Sequence, residues 1–199
     1  MEGKNKVLVR GALAAALVAL LAAGAEKIPD PAVAKAVARA REAAEGLVGH
    51  LKGLLGEELA AGGFERAVAV CSEKALAETK AFAERQGISV RRVTTRTRNP
   101  ANKPDEFERR VLGVFERMRR AGAVMNDYYE VVETGGRKEL RYLKPLLVQG
   151  MCLTCHGPKE KIPAEVAKIL AQRYPDDRAT GYRAGELRGA VSVRVPLEE

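Results

Sequence analysis

Two runs with strand alternation, DYYEVVET (Asp127 to Thr134) and KELRYLKPLLV (Lys138 to Val148), are joined through Gly135-Gly136. A Gly-Gly link between alternating runs predicts a tight hairpin, because two-residue hairpin turns require positive φ values that glycine reaches at no steric cost. That feature commits this part of the chain to antiparallel pairing. ISVRRVTT (Ile88 to Thr95) and GELRGAVSVRVP (Gly185 to Pro196) alternate in the same way and supply further strands.

The N-terminal half obeys a different period. From Asp30 to Ala61 the apolar residues recur with helical spacing, as in Val33, Val37, Ala40, Ala44 and Leu47. Gly62-Gly63 predicts a break. A second helix is expected from Phe64 to about Arg85, with Phe64, Val68, Cys71, Ala75 and Phe82 on one face and Gly87 ending it. The turn-rich TRNPANKPDEFE leads into a helix from Pro104 to about Ala121, and Pro163 opens a shorter one to about Arg173. Long helices first and a small antiparallel sheet afterwards predict an α+β domain.

The first residues read as an address. Lys4, Lys6 and Arg10 precede the apolar run GALAAALVALLAAG, which ends in Ala23-Gly24-Ala25 before Glu26. Basic, apolar and small-x-small segments in that order predict a signal peptide over residues 1–25 and a single domain over 26–199. The run is shorter than the roughly 20 residues of a comfortable span, so an uncleaved N-terminal membrane anchor is the alternative. A periplasmic or otherwise exported protein is expected. The chain's net charge is +8, and removing three bases and Glu2 with residues 1–25 leaves about +6. That charge suits an acidic protein partner, or peripheral contact with anionic lipid, by long-range steering. Nucleic acid is not expected, since no aromatic-studded basic motif of the single-strand-binding kind is present.

Cys71, Cys152 and Cys155 are an odd number of thiols for an oxidising compartment. Two of them stand in MCLTCHG (Met151 to Gly157), where His156 follows the second. C-x-x-C-H is the attachment signature of c-type haem: two thiols three positions apart reach the two vinyl groups, and the adjacent imidazole reaches the iron. A thioredoxin-like dithiol calls for a βαβ setting that this antiparallel context lacks. Structural zinc needs four ligands, so Cys152, Cys155 and His156 would have to recruit Cys71 or His50 without the usual paired spacing. His156-Gly157-Pro158 is expected to form an exposed turn.

The other side of the iron stays open at this level. His50 lies on the flank of its helix's apolar stripe. Met118, Met125 and Met151 carry the thioether that electron-carrying cytochromes commonly use. Cys71 serves equally well as a small buried residue or as a ligand.

AVCSEKA around Cys71, VRRVTTRTRNPANKPDEFE, YLKPLLVQGMCLTCHG and YPDDRATGYRAGELRGAVSV, in that order, resemble the blocks of a family of single-haem c-type domains. The likeness runs from about Phe64 to Pro196. The family occurs as standalone exported cytochromes, known from cyanobacteria, and as the sensing part of bacterial signalling proteins. The resemblance implies a PAS-like fold, one covalent haem c, and iron ligation by His156 and Cys71. A thiolate ligand stabilises ferric iron and lowers the potential. Arg96 and Arg98 are candidate partners for the haem propionates, since a forked guanidinium matches a carboxylate; Asn99 and Asn102 read as turn formers.

Two functions follow as expectations. One is an exported monohaem cytochrome that passes single electrons to or from a redox partner. The other is a haem-based redox or gas sensor acting through a separate signalling partner, because the chain ends at Glu199 with no output domain. No nucleophile with a neighbouring base is found, so an enzyme is not expected.

Overall fold

The computed structural model describes residues 30–124 and 126–197; the predicted signal peptide, residues 1–25, and Met125 lie outside them. From Pro31 onward the chain packs as one compact unit. Helix α1 spans Pro31–Ala69 and is kinked at the expected break, where Gly62 (φ −168°, ψ 25°) and Gly63 (φ 66°, ψ −157°) leave helical values. The second predicted helix is not continuous. A π-helical turn, Val70–Lys74, separates the end of α1 from α2, Ala75–Gln86.

Strand β1 (Ser89–Val93) follows, then helix α3 (Glu106–Arg120) and the hairpin of β2 (Tyr128–Thr134) and β3 (Arg137–Leu147). Gly135 and Gly136 take φ of 61° and 74° and close that hairpin with Thr134 opposite Arg137. The one-turn helix α4 (Leu153–His156), helix α5 (Ala164–Arg173) and strand β4 (Leu187–Pro196) complete the chain. The sheet order is β1-β4-β3-β2, and all neighbours are antiparallel. The last strand therefore enters the interior of the sheet. Its Ala-Val-Ser-Val run is buried at every position, as expected of a strand covered on both faces.

Ala40, Ala44 and Leu47 of α1 pack on one face of the sheet against Leu140, Tyr142, Val191 and Val193. Val111, Leu112 and Phe115 of α3 pack on the other against Val93, Leu143 and Ala190. Full burial of Leu47 or Phe115 contributes about 1.5–3 kcal/mol each. Helix α3 starts in a capping box: Glu108 N donates to Asp105 Oδ1 and Asp105 N to Glu108 Oε2, both at 2.8 Å. The architecture is the expected α+β class, an antiparallel sheet with long N-terminal helices in a PAS-like arrangement. Among the described residues no helix is long and apolar enough to cross a membrane.

Candidate functional site

The chain leaves β3 straight into MCLTCHG, and the sheet fixes where it goes. Val148 N donates to Glu186 O at 2.9 Å and Val148 O accepts from Gly185 N at 2.8 Å, so the motif starts pinned to the entrance of β4. Gly150–Cys152 forms a 3₁₀ turn that runs into α4. Gly157 ends α4 with its N–H on Leu153 O at 2.8 Å. A Cβ at Gly157 would lie 2.5 Å from that oxygen, so the tight stop requires glycine. The exposed turn expected here is instead a half-buried helical one. The segment 177–182 folds over it, with Tyr182 N on His156 O at 2.9 Å and Gly181 N on Gly157 O at 2.6 Å.

A cleft opens between α1 and the π-helical turn on one side and α4, α5 and the sheet on the other. Its apolar wall includes Leu55, Leu59, Phe64, Val68 and Leu170. Cys71, Cys152, Cys155 and His156 all line it, and all three cysteines are free thiols. His156 Nδ1 lies 2.7 Å from Ala179 O. A carbonyl only accepts, so Nδ1 carries the proton. Burial, with repulsion from Arg188 and Arg98 added, lowers its pKa to about 3, and the ring is neutral. Nε2 is therefore a bare lone pair on a ring held edge-on to Tyr182 at 6.3 Å.

Cys71 sits on the π-helical turn. Val68, Ala75 and Phe82 of the predicted stripe are buried, yet Cys71 presents exposed surface, and that surface lies inside the cleft. Crowding by the cleft walls raises its pKa, while Arg92, Arg98 and Arg188 pull it back toward the thiolate. Burial likewise raises the pKa of Cys155, with Arg98 opposing and the Cys71 and Cys152 thiols adding to the rise. Cys152 Sγ accepts from Gln149 N at 3.4 Å. Among the described residues no three His, Cys, Asp or Glu side chains gather into a metal-ion cage.

The two arginines expected at the site occupy different places. Arg98 lines the cleft, but its guanidinium is committed: Nε and Nη2 meet Asp177 Oδ2 at 3.0 and 2.8 Å, and Nη2 donates to Cys155 O at 2.6 Å. Asp177 in turn accepts from Ala179 N at 2.8 Å. Arg98 thus ties the motif helix to the segment that orients His156. Arg96 is turned toward that same segment, donating to Arg178 O and Thr180 O and stacking over Tyr182 at 3.9 Å, and it does not line the cleft. Asn99 caps its own turn, accepting from Ala101 N at 3.0 Å, and Asn102 lies in the same turn.

His50 is outside the cleft, bonded to Glu78 Oε2 at 2.9 Å and stacked on Phe82. Met118 lies on α3, which packs on the opposite face of the sheet, whereas Met151 is exposed at the cleft. Sequence reasoning passed over Arg92 and Arg188, which line the cleft without a carboxylate partner among the described residues. The doubled arginine in SVRRV held the signal: in a strand, neighbouring side chains point to opposite faces.

An apolar cleft beside a PAS-like sheet, lined by a C-x-x-C-H helix and a third thiol, defines an α+β domain built to hold a cofactor. The chain belongs to the Tll0287-like family, described as Tll0287, whose model matches residues 20–196. It is similar to a solved structure, the crystal structure of the cyanobacterial haem protein Tll0287. The two share 29% identity and a TM-score of 0.51, over 63% of this chain and 71% of that one. Among curated proteins nothing matches.

Proposed function

We propose that this protein is an exported monohaem c-type cytochrome in which His156 and Cys71 are the iron's axial ligands and which transfers single electrons at low potential. The observation that carries this reading is the convergence on one apolar cleft of Cys152, Cys155 and His156 of the C-x-x-C-H motif and the third thiol, Cys71. The residues present fit haem. A flat apolar macrocycle suits walls such as Leu55, Leu59 and Leu170, and the tautomer of His156 leaves Nε2 free to donate to iron. Cys152 and Cys155 stand at the spacing that thioether attachment requires. The similarity to a cyanobacterial haem protein supports the same assignment.

Haem, when bound, supplies an iron that gains and loses one electron. The chain's own residues do the rest. The Ala179 carbonyl fixes the imidazole and raises its basicity, Arg98 holds the motif against Asp177, and the apolar walls exclude water. A thiolate at Cys71 would favour the ferric state. The sensing alternative draws on one feature, the π-helical turn under Cys71. Such turns are frequent at functional sites, and release of the ligand there would be felt directly by α2.

The test is spectroscopic. Protein made with a cytochrome c maturation system should keep its haem through acid-acetone extraction and give the pyridine haemochrome of a double thioether. Cys71→Ala should abolish the ferric thiolate features, raise the potential and open a position to carbon monoxide. His50→Ala should leave the spectrum unchanged. Release of the porphyrin into acid-acetone overturns covalent attachment, and a silent Cys71 variant overturns the ligand assignment.

A further inference from the structure

The cleft carries more positive charge than the protein's own carboxylates neutralise. Arg92 leaves β1 on the face of the buried Val90, toward α1, and lines the cleft. Its Nε is buried without a hydrogen-bond partner, and no ion pair reaches its guanidinium among the described residues. Its neighbour Arg91 points the other way, to Glu108 at 3.8 Å.

Arg188 arrives by a different device. On β3, Leu146 pairs with Gly189 and Leu147 with Leu187, so Arg188 is the extra residue of a β-bulge on β4. A bulge re-aims the side chain it carries, and here it turns Arg188 into the cleft. The bulge depends on close backbone approach: a Cβ at Gly189 would lie 2.3 Å from Val93 O. Among the described residues Arg188 meets uncharged groups, Thr94 Oγ1 at 3.1 Å, Arg96 O at 3.4 Å and the Tyr182 ring at 5.6 Å. The nearby carboxylate, Asp177, is taken by Arg98.

Holding two half-buried arginines on one cleft without a carboxylate costs free energy that a ligand's anions would offset. The guanidinium pKa values fall accordingly, chiefly by burial in both cases, with Arg98 and Arg92 repelling Arg188. We infer that Arg92 and Arg188 are the seats for the ligand's two carboxylates, the haem propionates, while Arg98 and Arg96 brace the surrounding loops. The inference rests on the haem reading above and adds the polar end of the ligand to it.

The test uses the full chain made without a haem-attachment system, titrated in parallel with haem and with haem dimethyl ester and followed by absorbance. The unaltered chain should prefer the diacid by about tenfold or more, the value of a charge-assisted hydrogen bond. Arg92→Gln and Arg188→Gln should each erode that preference while ester binding holds; Arg92→Lys should retain part of it and Arg91→Gln all of it. A second readout separates this role from a structural one. Because Arg92 is unpaired without its ligand, Arg92→Gln should leave the melting temperature of the haem-free chain equal or higher. If Arg188→Gln does not fold, Arg92→Gln alone decides. Equal binding of haem and ester by the unaltered chain overturns this inference and leaves the haem reading standing. Binding of neither overturns both. A diacid preference that survives Arg92→Gln, or a haem-free chain melting lower with that change, also overturns it.

Discussion

The two faces of the sheet treat charge in opposite ways. On the α3 face, Arg141 reaches Asp105 at 2.7 Å and Glu108 at 3.8 Å, lies over Phe107 at 4.5 Å, and shares Asp105 with Arg194 at 3.8 Å. Cations from two strands pair with carboxylates of a helix cap there. On the cleft side, Arg92 and Arg188 have no such partners among the described residues. Both faces draw arginine out of bulk water, fully at Arg141 and partly at Arg92 and Arg188, so burial alone does not mark a site. An orphaned guanidinium nitrogen does not mark it either, since Arg141 Nε and Arg92 Nε are both buried without a hydrogen-bond partner; what distinguishes the faces is that Asp105 and Glu108 supply carboxylates to Arg141, whereas no carboxylate among the described residues pairs with Arg92 or Arg188.

The sharpest way to break this contrast is at Gly189. Any side chain there meets the Val93 carbonyl, so Gly189→Val should separate β1 from β4 and release the bulge that aims Arg188. A loss on the order of 4 kcal/mol is expected, the size reserved for a backbone clash in a packed core. Chemical denaturation measures it, and a variant within about 1 kcal/mol of the parent would show that the bulge is not required.

A smaller effect compares the two arginine environments directly. Arg141→Gln removes the cation that Asp105 and the fully buried Glu108 share, leaving them only Arg194 and Arg91, each at 3.8 Å. A cost of about 3 kcal/mol is expected, the low end for breaking a buried pair because Asp105 is partly open to water. Arg92→Gln should cost the haem-free chain nothing. Equal losses in the two variants, read from paired denaturation curves, would erase the distinction between the faces.

Much of the frame was legible because it rests on local rules. Alternation, Gly135-Gly136, Gly62-Gly63 and the turn-rich approach to Pro104 each act within a few residues, and the elements fall where they indicate. MCLTCHG was legible as chemistry, though its burial was not, since the segment that covers it, 177–182, lies more than twenty residues downstream. The π-helical turn at Cys71 left no mark in AVCSEKA, because a stripe of apolar residues reads alike whether a turn is α or π. Arg188 was hidden for a related reason. A bulge is a property of two paired strands, and the register shift between Leu146 and Leu147 does not exist until β3 and β4 meet. The motif therefore marked Cys152 and Cys155, while periodicity missed the charges that line the cleft.

The smallest expected effect lies on the cleft's own side of the sheet, at a charge that is paired. Asp127 Oδ2 accepts from Arg41 Nε at 2.7 Å and from Tyr142 OH at 2.8 Å, joining α1 to β3. The hydrogen bond from Arg41, reinforced by Tyr142 against the opposing effect of burial, holds the Asp127 pKa below the ordinary carboxylate range. A depressed folded-state pKa gives stability that is fully present above the unfolded value of about 4 and is lost as pH falls through the folded value. Because the Arg41 end of the pair is about half open to solvent, its worth is on the order of 1 kcal/mol. Denaturation of the haem-free chain and of Asp127→Asn between neutral pH and pH 2 should therefore give curves separated at neutral pH that converge in acid. Arg92→Gln, at an unpaired cation on the same side, should run parallel to the parent throughout. Curves for Asp127→Asn that stay parallel as well would mean that the link adds nothing, and that side of the sheet would then draw its stability from apolar packing alone.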